Sequence, residues 1–129
     1  MIDGGGAPFG GTWLVAASAL MRLRGLAQRA PDRTVMVFPH CRDVHTLTMR
    51  HPLDIAFVSE EGRVVAVYRL VLPGVRLRHR RAAAVIERFA QPGAWFEKGD
   101  SIELPSRRGG KRGTRERGPR RGKRRIPWS

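Results

Sequence analysis

The chain is short of several things that would narrow its function at once. It has one cysteine, Cys41, and one tyrosine, Tyr68, in 129 residues. A lone cysteine excludes an internal disulfide framework and fits a reducing compartment, so the expected location is the cytoplasm. No run of roughly 18 apolar residues occurs, which excludes a helical membrane span. The apolar stretch WLVAASALM is preceded by Asp3 alone among charged side chains and followed by Arg22 and Arg24, the reverse of the polarity a secretory signal needs. Paired carboxylates, a nucleophile elbow, a phosphate loop and an internal repeat are all missing.

Acidic residues are also scarce: 11 Asp or Glu stand against 25 Lys or Arg, for a net charge of +14. The excess is concentrated at the C-terminus. From Ser106 onward there are eleven basic residues and one acid, Glu116, so residues 106–129 carry +10 and the preceding chain only +4. On this count an electrostatic case for a polyanion partner rests on the tail. Its Gly- and Pro-spaced composition is too poor in apolar side chains to offset the entropy of ordering, so it is expected to be disordered. Arg107, Arg108, Arg112, Arg120, Arg121, Arg124 and Arg125 are its candidate nucleic-acid contacts, acting on phosphates without sequence preference. The competing reading is compositional: Lys98, Lys111 and Lys123 are the only lysines, an Arg preference expected of a GC-rich genome.

A hydrophobic content of 41% is enough for one core. Residues 1–11 read as a Gly-rich lead-in, 12–105 as a single domain and 106–129 as the tail. TWLVAA has strand character, and SALMRLRGLAQR places Leu20, Leu23, Leu26 and Ala27 on one helical stripe, predicting a short helix that ends before Pro31. TVMVFP predicts a strand buried on both faces. LDIAFVSEEGRVVAVYRLV predicts a hairpin, with Ser59 to Gly62 as the turn. RAAAVIERFA is ambiguous, since its apolar positions suit a helix and also alternate as a strand does. GDSIEL predicts a last strand.

Several of these segments, in order, resemble the family known as domain of unknown function 192. RLRGLAQR is similar to its Arg-x-x-Gly-Leu-Met-x-Arg signature through Arg22, Gly25, Leu26 and Arg29, with Ala27 in the Met position. CRDVHTLTMRHPLDIAFVSEEGRVV resembles the family core in a Cys-x-x-Val-His-Thr variant, through Cys41, Val44, His45, Thr46, Met49, Pro52, Asp54, Phe57, Gly62 and Val64. Glu87 and KGDSIEL are similar to its closing strands. The resemblance spans roughly residues 12–105 and implies an α+β, mainly antiparallel fold: a half-open barrel or curved sheet, a short N-terminal helix, and AAAVIERFA as a strand. It implies no activity.

Three chemistries compete for the stretch FPHCRDVHTLTMRHPLDIAF. His40, Cys41, His45 and His51 supply zinc-type ligands, but their spacing matches no structural-zinc pattern, and no metal or cofactor is expected. Asp54 between Leu53 and Ile55, with His45 and Cys41, offers hydrolase-like acid-base or nucleophilic chemistry. Against it stands a structural Asp54 that accepts backbone N–H bonds after Pro52 or pairs with Arg22 or Arg29. The leading expectation is a small binding or accessory domain, not an enzyme, with a ligand pocket around His45, Met49 and Asp54 and with Cys41 and Trp95 as further candidates. Its alternatives are nucleic-acid association through the tail and the hydrolase-like reading.

Overall fold

The computed structural model describes residues 9–16, 30–103 and 123–124. Nine strands lie within them: β1 Thr12–Val15, β2 Thr34–Pro39, β3 Asp43–His45, β4 Leu53–Val58, β5 Val64–Val71, β6 Arg76–Arg78, β7 Ala84–Phe89, β8 Ser101–Ile102 and β9 Lys123–Arg124. The helix expected before Pro31 falls outside the described residues. So does the expected disorder of the tail, except that Lys123–Arg124 pairs in parallel with Ser101–Ile102.

Five strands form the main sheet in the order β1-β2-β7-β4-β5. The sheet is mixed: β1 runs parallel to β2, whereas the β2–β7, β7–β4 and β4–β5 pairs are antiparallel. Among the described residues it does not close into a barrel, and β1 and β5 are its edges. β7 resolves the ambiguity of AAAVIERFA, and the reason is its position. It is the middle strand and is buried on both faces, so every residue is inside and no amphipathic period is available to read.

Each face carries its own apolar cluster. Trp13, Val35, Val37, Ala56, Val58, Ile86, Trp95, Phe96 and Ile102 fill the first. Met36, Phe38, Leu53, Ile55, Phe57, Val85 and Phe89 fill the second, and Cys41, Val44, Met49 and Leu77 pack against its margin. Strand alternation accounts for the division, since neighbours along β2, β4 and β7 fall into opposite clusters. The margin residues of the second cluster bring with them a two-stranded ribbon, β3 paired antiparallel with β6. Thr46, 1% exposed, ties that ribbon to the end of β5: its hydroxyl donates to Leu72 O at 2.8 Å and accepts from Val75 N at 2.9 Å.

The hairpin turn is as expected. Gly62 N donates to Ser59 O at 2.9 Å and Gly62 sits at φ 82°. A Cβ there would also collide with the carbonyl oxygen of Ile102, so both conformation and space require glycine. At its other end the β4–β5 ladder carries a bulge. Leu53 faces Val71 and Ile55 faces Tyr68, so Arg69 and Leu70 together stand opposite Asp54.

Candidate functional site

Asp54 lies in the middle of the apolar run of β4, and alternation turns its side chain toward the first cluster while Leu53 and Ile55 join the second. It is 1% exposed. Four donors converge on its carboxylate. Oδ1 accepts from Arg69 Nε at 3.2 Å and from Leu70 N at 3.1 Å. Oδ2 accepts from Arg88 Nε at 2.9 Å and from Gln91 N at 3.4 Å. Both expected structural roles are present, backbone acceptance and an arginine pair, but the described partners are Arg88 and Arg69. Arg22 and Arg29 lie outside the described residues.

The bulge is what makes this geometry possible. The extra residue lets the Leu70 N–H turn toward Asp54 and brings the Arg69 side chain alongside it, while Leu70 takes a left-handed φ of 54°. For an L-residue with a branched side chain that conformation is costly, and the bond to Asp54 holds it in place.

Arg88 continues the network into the core. Its side chain is 3% exposed, its Nε is committed to Asp54, and its Nη2 has no hydrogen-bond partner among the described residues. The guanidinium carbon lies 4.5 Å from the centroid of the Trp95 ring and 5.7 Å from that of Phe9. Phe9 also stands edge-on to Phe96 at 4.9 Å, and Trp95 anchors itself by donating from Nε1 to Ile55 O at 3.4 Å. The result is a buried cation held by one carboxylate and roofed by aromatic rings, with an N–H pair still able to donate.

The other sequence candidates are placed elsewhere. Met49 packs at the margin of the second cluster, on the opposite face of the sheet from Asp54. His45 is exposed on β3, because its neighbour Val44 is the residue that packs inward. Cys41 Sγ donates to Asp43 O at 3.2 Å. The structure therefore joins Asp54 to Trp95 through Arg88, and separates both from the His45, Met49 and Cys41 side of the molecule. His40 is exposed, and His51 lies beside Phe89 at 6.1 Å. Among the described residues, no three His, Cys, Asp or Glu side chains come together as a metal-binding group.

Sequence reasoning passed over Arg88 and Arg69, and took Glu87 only as a match to the family's closing strands. Glu87 is 5% exposed on β7, opposite Met36 on β2 and Ile55 on β4, and burial pushes its carboxyl up to about 8. The available signal was the dipeptide Glu87-Arg88 inside an otherwise apolar run. Read as a strand, it must send one charged side chain into each face.

The profile of a family described as Uncharacterized ACR, DUF192, matches residues 9–100. Two solved structures are similar over part of the chain. One is a protein of unknown function from Novosphingobium aromaticivorans, 25% identical, covering 59% of this chain and 61% of that one, with a TM-score of 0.51. The other, from Sinorhizobium meliloti, is described provisionally as a transcription regulator; it is 25% identical, covers 60% of this chain and 67% of that one, and has a TM-score of 0.50. No curated protein matches the chain significantly.

Proposed function

The chain belongs to the DUF192 family, and we propose that its β domain is a binding module whose ligand site is the Asp54, Arg88 and Trp95 network. The observation that carries this reading is the Arg88 Nη2 group, buried without an acceptor beneath Trp95 and Phe9. A buried donor of that kind is expensive to leave unmade, and a small ligand bearing a carboxylate, phosphate or carbonyl oxygen would satisfy it. Phe9 is the only half-exposed ring in the roof, so entry runs past it. Cys41, His45 and Met49 stand outside this site, and no nucleophile and base are brought together in it, which favours binding over the hydrolase-like reading.

Thermal shift and titration calorimetry with acetate, malate, glutamate and inorganic phosphate test it. The expected result is a rise in melting temperature with at least one of these anions, lost in Arg88→Met and strengthened in Phe9→Ala. If no anion shifts the protein or the Phe9→Ala variant, while Arg88→Met and Asp54→Asn only lower the melting temperature, the network is scaffold.

A second reading is association with nucleic acid. It is supported by the +10 charge of residues 106–129 and by the description of the Sinorhizobium meliloti relative. Deleting those residues should then abolish most RNA or DNA retention.

A further inference from the structure

The small ribbon β3–β6 has two unlike faces. Val44 and Leu77, directly paired, pack against the second core cluster. Asp43 is paired with Arg78 and His45 with Arg76, so these four side chains form the outward face. The turn that follows β6 adds Arg80 and Arg81, both exposed, and Arg42 reaches across to it by donating from Nη1 to Arg80 O at 3.2 Å. The ribbon and its adjoining loop and turn therefore hold five arginines and one acid, Asp43. The carboxylate is already engaged bidentately by Arg76, at 3.1 and 2.6 Å. That hydrogen bond holds the Asp43 carboxyl below its usual range, and the charges of Arg76, Arg78 and His45 act in the same direction.

The arrangement changes the reading of charge along the chain. A net +4 over residues 1–105 describes an unremarkable body, but residues 63–86 hold six arginines, at 63, 69, 76, 78, 80 and 81, and no acid. Folding then gathers most of them on one ribbon. Among the described residues, the side chains of Arg78, Arg80 and Arg81 make no hydrogen bond or ion pair. Arg80 and Arg81 are exposed donors, and Arg78 has only the attraction of Asp43 across the ribbon to give up, which is the state that favours contact with phosphate.

We propose that the outer face of the β3–β6 ribbon, through Arg42, Arg78, Arg80 and Arg81, is a phosphate-backbone contact surface for single-stranded nucleic acid. It extends the nucleic-acid reading to the folded domain and shares with it only the class of partner. Arg76 and Arg78, two apart on β6, are ~6.8 Å from one another, a spacing that successive phosphates of a flexible strand can meet, and Arg42, Arg80 and Arg81 flank the Arg78 end in the adjoining loop and turn. The outward face has no aromatic platform, so binding is independent of sequence. A membrane surface fits less well, because such a site needs apolar side chains beside its cations. The exposed Leu47 and Leu72 lie beyond the His45–Arg76 end of the ribbon, whereas the free guanidiniums sit at the Asp43–Arg78 end.

The test uses the full chain, tail included, with a fluorescein-labelled 20-nucleotide RNA of mixed sequence read by anisotropy across a salt series. Each single-strand phosphate contact contributes about 0.7 to the slope of log K against log salt. The triple variant Arg78→Ala, Arg80→Ala, Arg81→Ala should lose up to about 2 from that slope, while the corresponding Arg→Lys triple and an Arg63→Ala, Lys98→Ala control should keep it. Circular dichroism and melting temperature of each variant confirm that the fold is intact. An unchanged slope in the Ala triple overturns the proposal and leaves the tail reading standing. No RNA binding by the wild-type chain overturns both, and binding to phosphatidylserine vesicles that is lost in the triple, with RNA binding unaffected, assigns the ribbon to a membrane instead.

Discussion

Three ionisable side chains of β4 and β7 lie in the core, and they differ in how the charge is met or avoided. Asp54 and Arg88 satisfy one another with help from Arg69 and two backbone amides. Asp54→Asn leaves Arg88 buried without a counter-charge and should cost about 3 to 5 kcal/mol in urea unfolding, whereas Arg88→Met, with Arg69 still on the carboxylate, should cost less. Glu87 is met differently: among the described residues no hydrogen bond or ion pair reaches it, and burial raises its carboxyl to about 8. The folded state then keeps a proton that the unfolded chain releases from pH ~4.5 upward, so Glu87 lowers stability progressively between about pH 4.5 and 8 and by a constant amount above that. The full loss is on the order of 4 to 5 kcal/mol. Glu87→Gln, which cannot ionise, should match the wild type near pH 4.5 and exceed it by several kcal/mol at pH 8.5; parallel stability curves for the two proteins would show that the carboxyl is not held neutral.

Among the elements, the β4–β5 hairpin shows most clearly what a sequence exposes and what it hides. Its turn is local chemistry, Ser59 to Gly62, and is legible from four residues. The bulge at Arg69–Leu70 is not, because nothing in VYRLV marks it; it exists only through pairing with β4 and the carboxylate of Asp54. Leu70 is 61% exposed at φ 54°, so replacing it with Gly removes left-handed strain and little burial. Leu70→Gly should raise the unfolding free energy measured by denaturant titration, by up to about 1 kcal/mol after the entropic cost of Gly, whereas Leu70→Ala should not. The same limit applies to the site. Asp54 and Trp95 are legible in the sequence as candidates for one pocket, but their junction through Arg88 depends on strand order β7-β4-β5, a long-range property. His45 and Met49 looked like companions of Asp54 because they are close in sequence. The short β3, only Asp43–His45, ends before the alternation that would have aligned them.

For the whole molecule, the decisive feature is how burial and charge are divided along the chain. Every buried hydrophobic residue among those described lies between Trp13 and Ile102, and residues 106–129 are rich in charge and hold few apolar side chains. A chain ending at Pro105 should therefore keep its fold, with a melting temperature close to that of the full protein. Its nucleic-acid binding should fall without vanishing. On the proposed reading the tail's eleven basic residues should set most of the salt slope in the full chain, and the ribbon should supply the remainder, a slope of about 2 to 3 if three or four of its guanidiniums each neutralise one phosphate. Anisotropy of the truncated chain against the same RNA at 20 to 100 mM salt measures that remainder directly. A residual slope abolished by Arg78→Ala, Arg80→Ala and Arg81→Ala places two polyanion surfaces on one small protein. A truncated chain that binds nothing even at the lowest salt confines the interaction to the tail and leaves the Asp54, Arg88 and Trp95 network as the one site to pursue in the folded domain.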